Sequence, residues 1–207
     1  MASIRFPRRG LYLITPDDGD SESLFARALD VLPHAACLQY RRKHADATQR
    51  KSEAKHLRSL CHELSICFIV NDDPVLAKEV GADGVHIGEH DGGIANARAL
   101  LGPDRTVGVS CYDDVLLAQS AAGAGADYVA FGAMFPSSTK PHARRATSAL
   151  FAQTQNLGVP RVAIGGITPD NALIAVAAGA DLLAVIGGVF DAPDPAAAAR
   201  SISTAFD

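Results

Sequence analysis

The residues of this chain most able to do chemistry are cations, carboxylates and hydroxyls placed just after short apolar runs. Gln39-Tyr40-Arg41-Arg42-Lys43 sets three cations in a row. Side chains alternate along extended backbone, so Arg41 and Lys43 share one side while Arg42 points elsewhere, and two cations can meet one phosphate group. In Asn71-Asp72-Asp73-Pro74, Asp73 is placed to cap a helix that Pro74 opens, which leaves Asp72 for another role. Gly88-Glu89-His90-Asp91 supplies a second acidic cluster. Mg2+ takes a few carboxylate oxygens and keeps water and phosphate oxygens, so Asp72 with Asp91 makes a half-site. Ser137, Ser138 and Thr139 precede Lys140, a set of hydroxyls and an ammonium suited to phosphate oxygens. The pairs Gly165-Gly166 and Gly187-Gly188 let backbone N–H groups approach an anion. Ser110, in Gly108-Val109-Ser110-Cys111-Tyr112, reads as a hydrogen-bond donor, because no G-x-S-x-G elbow or activating base accompanies it. Taken singly, each stretch is also ordinary loop chemistry. A transition-metal set from His86, Glu89, His90 and Asp91 is disfavoured, since His86 falls inside an apolar run and no third well-spaced partner follows.

Eight apolar runs position these residues: Leu11–Thr15, Cys37–Tyr40, Cys67–Asn71, Gly84–Ile87, Thr106–Ser110, Tyr128–Phe131, Arg161–Ile164 and Leu183–Ile186. Between them lie amphipathic stretches such as Ser21–Leu32, Thr48–Leu64, Pro74–Val80, Asp113–Ala122 and Asn171–Ala178. Strands alternating with helices require crossovers and a parallel sheet. Gly-Ala-Asp recurs at 81–83, 125–127 and 179–181, each time ending a helical stretch and leading into an apolar run. Glycine suits the left-handed position that stops a helix. Eight units favour a single α/β domain, a (β/α)8 TIM barrel of parallel strands over residues 1–207 with an N-terminal extension at 1–9; an open flavodoxin-like or Rossmann sheet is the alternative. In such a barrel the residues after each strand form the active site. The Ala-rich tail Asp194–Phe206 reads as a last helix on the outer wall.

The 207 residues are 48% hydrophobic and 20% charged, with a net charge of −4 and a sequence pI of about 5.9. That balance gives no overall positive field for nucleic acid or an anionic membrane. No window approaches a membrane-spanning run, and Met1–Gly10 lacks a signal-peptide core, so a cytoplasmic protein is expected. Cys37, Cys61, Cys67 and Cys111 have no C-x-x-C spacing and are expected as reduced, packed thiols. Neither a Walker motif nor a G-x-G-x-x-G fingerprint is present.

In order along the chain, these motifs resemble thiamine phosphate synthase. They are Gly10-Leu-Tyr-Leu-Ile-Thr15, Gln39-x-Arg41-x-Lys43, Asn71-Asp72, Ala82-Asp-Gly-Val-His86-x-Gly88-x-x-Asp91, Gly108-Val-Ser110, Ala126-Asp-Tyr-Val-x-Phe-Gly132, Ser138-Thr-Lys140 and Ala163-Ile-Gly-Gly-Ile167, and they cover Gly10 to Val189. The resemblance implies a Mg2+-dependent transferase that joins 4-amino-5-hydroxymethyl-2-methylpyrimidine diphosphate to hydroxyethylthiazole phosphate, with pyrophosphate leaving first. It implies Arg41, Lys43, Asn71 and Lys140 on the diphosphate, Gln39 on the pyrimidine side, Ser110 on either, and Asp72 and Asp91 as Mg2+ ligands. The hydroxyls of Ser137 and Thr139, with Gly166 and the backbone of Ile186 and Gly187, correspond to thiazole-phosphate contacts. Arg41, Lys43, Ser110 and Lys140 are the expected catalytic set. The partners are then small-molecule substrates, with a homo-oligomer compatible. Tyr40, Glu89, Tyr112, Ala133, Ser137 and Gly187 depart from the residues usual in the family. The competing functions are a thiazole tautomerase, which needs no metal or diphosphate site, and a phosphate-ligand sensor without turnover.

Overall fold

In the computed structural model, which describes residues 4–136 and 145–207, the apolar runs pair edge to edge into a closed parallel barrel. The strands are β1 (Gly10–Ile14), β2 (Cys37–Tyr40), β3 (Cys67–Asn71), β4 (Gly84–Ile87), β5 (Thr106–Tyr112), β6 (Tyr128–Gly132), β7 (Arg161–Ile164) and β8 (Leu182–Val185), with β8 returning to β1. The helices are α1 (Ser21–Val31), α2 (Ala47–Glu63), α3 (Pro74–Val80), α4 (Gly93–Leu101), α5 (Val115–Gly123), α6 (Ser148–Gln153), α7 (Ala172–Ala177), α8 (Gly187–Phe190) and α9 (Pro195–Ser203). The (β/α)8 barrel expected from the sequence is therefore the fold, and the open-sheet alternative is excluded by closure. β1 begins and ends one residue earlier than its apolar run, β8 likewise, and β5 continues two residues further, to Tyr112. A register shift between Ser110 and Tyr112 explains that last difference, since a bulge carries the strand on while re-aiming its side chains.

Alternation divides the strand residues between two cores. Leu11, Leu13, Leu38, Phe68, Val70, Val85, Val107, Val129 and Phe131 face outward under the helices. Tyr12, Ile14, Cys37, Cys67, Ile69, Tyr128, Val162 and Leu182 fill the interior. Gly108 is required there, because a Cβ on it would run into the phenol ring of Tyr128. Phe6 stacks on Tyr128 at 4.0 Å between centroids, so the N-terminal segment plugs the barrel floor. All four cysteines are buried free thiols.

The Gly-Ala-Asp repeat does more than stop helices. Gly81, Gly125 and Gly179 all take positive φ. The aspartates then act as clamps. Asp83 donates its N–H to the carbonyl of Phe68 (2.9 Å) and accepts the Phe68 N–H on its carboxylate (2.9 Å). Asp127 does the same with Val107 (2.8 and 2.7 Å) and Asp181 with Arg161 (2.9 and 2.8 Å). Each reciprocal pair ties the start of one strand to the strand before it. In the first unit Ala36 donates to the Leu11 carbonyl (2.8 Å) but brings a methyl where the others bring a carboxylate.

Asp73 caps α3 by accepting the Leu76 N–H (2.9 Å), with Pro74 opening the helix, as expected. Asp194 caps α9, which packs on α1 and β1 as the outer-wall helix. Among the described residues no helix is long and apolar enough to cross a membrane.

Candidate active site

Because all eight strands run the same way, their C-terminal ends meet at one mouth. At the end of β2 the three cations separate as alternation requires. Arg42 turns outward and is 7% exposed, its guanidinium donating to the carbonyls of Asp18 (2.6 Å) and Gly19 (2.9 Å) and lying 3.2 Å from Glu53. Tyr40 is on the same outward side and donates to Glu53 (2.7 Å), so it packs beneath α2 and does not line the mouth. Arg41 and Lys43 stay at the mouth. Arg41 pairs with Asp17 at 3.2 Å, the Lys43 N–H donates to Asp17 (2.7 Å), and the Thr15 hydroxyl binds the Arg41 peptide on both sides (2.8 and 2.9 Å). Thr15 and Asp17 thus fix how this cationic end is presented. Neither stood out in the sequence, since an Asp in Pro-Asp-Asp-Gly reads as a turn.

Asp72 and Asp91 are brought together from the ends of β3 and β4. Asp72 sits in the left-handed region at φ 62, a strained position that a short polar side chain tolerates. Asp91 folds back to accept the Gly88 N–H at 2.7 Å. Burial, followed by the neighbouring Asp91 carboxylate, raises the Asp72 pKa above the usual carboxylate range, against the opposing pull of Lys43. Two carboxylates held in mutual repulsion beside a lysine suit a divalent cation that keeps its remaining positions for water and phosphate. No group of three or more His, Cys, Asp or Glu converges on a metal position among the described residues. Two carboxylate donors of this kind could hold one Mg2+. The Tyr112 side chain, on the bulge after Ser110, reaches over the β4 loop with its hydroxyl beside Gly88.

Below the mouth, polar side chains join inside the barrel. Gln39 Nε2 donates to the Tyr12 hydroxyl (2.7 Å), which meets the Tyr128 hydroxyl (2.7 Å). Tyr128 meets His86 Nδ1 (2.9 Å), and His86 Nε2 meets Ser110 Oγ (2.8 Å). Burial pushes His86 down to about 4, with Asp91 opposing, so the ring is neutral at ordinary pH. Gln39 and Ser110, two residues singled out in the sequence, are therefore connected through Tyr12 and Tyr128, which were not, and His86, which the sequence offered only as a disfavoured metal ligand.

On the far side the loops after β6, β7 and β8 pack backbone against backbone. A Cβ on Gly165 would meet Ala133 at 2.7 Å, one on Gly166 would strike the Phe135 and Pro136 carbonyls, and one on Gly188 the Ile167 carbonyl. These glycines are thus needed for loop-to-loop contact whatever they do for a ligand. Gly187 begins the short helix α8 directly after Ile186. Short extra helices of this kind border phosphate sites in many such barrels. Ser137, Thr139 and Lys140 lie outside the described residues.

The chain is similar to known proteins along nearly its whole length. A family model described as thiamine monophosphate synthase matches residues 11–189. The thiamine-phosphate synthase of Xanthomonas campestris pv. campestris (strain 8004) is 54% identical over 198 residues, covering 96% of each chain. That of Chromobacterium violaceum is 55% identical over 195 residues, covering 94% of each. Among solved structures, the thiamine phosphate pyrophosphorylase from Pyrococcus furiosus superposes with a TM-score of 0.85 at 32% identity, covering 96% of both chains. A 3-hexulose-6-phosphate synthase, at a TM-score of 0.73 and 20% identity, shares the fold alone.

Proposed function

The chain belongs to the thiamine monophosphate synthase family and is a transferase, and from that premise we propose that it joins 4-amino-5-hydroxymethyl-2-methylpyrimidine diphosphate to hydroxyethylthiazole phosphate. The bond from the exocyclic methylene carbon to oxygen breaks, and its electron pair leaves with pyrophosphate. The amino-substituted ring carries the resulting methylene cation, and the thiazole nitrogen lone pair closes the new C–N bond. No proton need be moved for the bond change, so the protein's task is charge stabilisation and placement.

The observation that carries this reading is the meeting of Asp72 and Asp91 beside Lys43. The two carboxylates would hold Mg2+, which supplies charge neutralisation of the leaving diphosphate. Arg41, Lys43, Asn71 and Lys140 bind that diphosphate, and Arg41 and Lys43 stand on the mouth side of β2 where such a group would lie. Gln39 meets the pyrimidine and Ser110 donates to the diphosphate. Gly166, Ile186 and Gly187, with the hydroxyls of Ser137 and Thr139, receive the thiazole phosphate.

Pure protein incubated with both substrates and Mg2+ is expected to form thiamine phosphate, and to stop doing so when the metal is chelated. Formation that persists in excess chelator would remove the role given to Asp72 and Asp91. No product under any metal condition would overturn the synthase reading.

A further inference from the structure

Five side chains run end to end through the barrel, from Gln39 on β2 through Tyr12 on β1, across the axis to Tyr128 on β6, then to His86 on β4 and Ser110 on β5. Gln39, Tyr12, Tyr128 and His86 are all buried. Each hydroxyl has one proton to give, and a neutral imidazole has one N–H and one lone pair. Only two arrangements make all four bonds and also use the proton of each tyrosine.

In the first, the Gln39 amide donates to Tyr12, Tyr12 to Tyr128, Tyr128 to His86 Nδ1, and His86 Nε2–H to Ser110. The Ser110 proton is then spare and the Gln39 carbonyl oxygen is free to accept. In the second, every bond is reversed: Ser110 gives its proton to His86, and Gln39 turns its oxygen to Tyr12, leaving its NH2 free. A mixed arrangement that keeps all four bonds makes one tyrosine accept twice and leaves its buried O–H proton without an acceptor, at a cost larger than a bond's net value. The chain is therefore all-or-none. The Gln39 amide nitrogen faces Tyr12, which is the first arrangement. An anion at Ser110 favours the same one, because a diphosphate oxygen can only accept.

We propose that Tyr12, Tyr128 and His86 are positioning residues that form this one-way chain, holding Ser110 as a donor to the leaving diphosphate and Gln39 as an acceptor for an amino group on the ring. The identity of the ligands rests on the synthase reading, whereas the polarity of the chain does not. Its consequence is that the two ends of one substrate are read together: an anion that fixes Ser110 as a donor also fixes Gln39 as an acceptor, which disfavours a ring offering a carbonyl in place of an amine.

The test uses 15N-histidine-labelled protein, with His86→Gln identifying the His86 resonances, and Mg2+ with pyrophosphate as the probe. His86 is expected as the tautomer protonated on Nε2, before and after the probe is added. Tyr128→Phe keeps the ring over Gly108 but cuts the chain. In that variant the tautomers should mix and kcat for thiamine phosphate formation should fall roughly tenfold to a hundredfold, with KM for the thiazole phosphate unchanged. A ring protonated on Nδ1 with the probe bound overturns the proposal, as does a folded Tyr128→Phe protein with wild-type kcat. If that variant fails to fold, the wild-type tautomer still decides. The expected tautomer in a protein that makes no thiamine phosphate would uphold the chain and sink the synthase reading instead.

Discussion

At the scale of single residues, the mouth of the barrel holds charges that oppose its stability. The Asp72 carboxyl titrates above its ordinary range because it is buried and faces Asp91. With the folded value above the unfolded one, the native protein binds the extra proton. The metal-free protein therefore gains stability from this group as pH falls through the folded value, and pays for its charge at neutral pH. Asp72→Asn is expected to raise the thermal midpoint of metal-free protein at pH 7 while abolishing Mg2+-dependent turnover. A lowered midpoint, or turnover left intact, would contradict this. Much here was legible in the sequence. Strand alternation separated Arg41 and Lys43 from Arg42, and Pro74 identified Asp73 as a cap, leaving Asp72. The link of Tyr12, His86 and Tyr128 was not legible, because polar residues within apolar runs look like packing until closure brings β1, β4 and β6 to face one interior.

At the scale of elements, the aspartates of Gly-Ala-Asp key strands to one another. The sequence reveals the repeat and its helix-stopping glycine, but the reciprocal bond to the preceding strand depends on register, which no local pattern gives. Asp127→Ala leaves the Val107 N–H without its carboxylate and Arg98 without its partner at 2.6 Å. A loss of about 2 kcal/mol in urea-denaturation stability is expected, with KM for both substrates unchanged, because the clamp sits at the opposite end of the barrel from the mouth. A changed KM with unaltered stability would relocate the residue's role. The sequence reading named helices for only some units. Not named were α4, which starts after Gly92 with no side-chain cap, and α6 and α8, whose six and four residues are too few to show a period.

At the scale of the whole molecule, the ring is four β-α-β units laid edge to edge, and three are locked internally by Asp83, Asp127 and Asp181. The fourth, β1 with β2, has Ala36 in the locking position. Of the four units, the one without a carboxylate clamp should open first at its floor end. Native-state hydrogen exchange is expected to release the amides of Tyr12–Ile14 and Leu38–Tyr40 at lower free energy than those of β5 and β6, and Ala36→Asp to narrow that gap. Uniform exchange around the ring would mean that the locks do not set local stability. At its other end the same strand pair is cross-tied, because Thr15 and Asp17 bond the Arg41 and Lys43 peptides, so slack at the floor leaves the cationic mouth in register. The pair is thus pinned at its working end and left to give at its base.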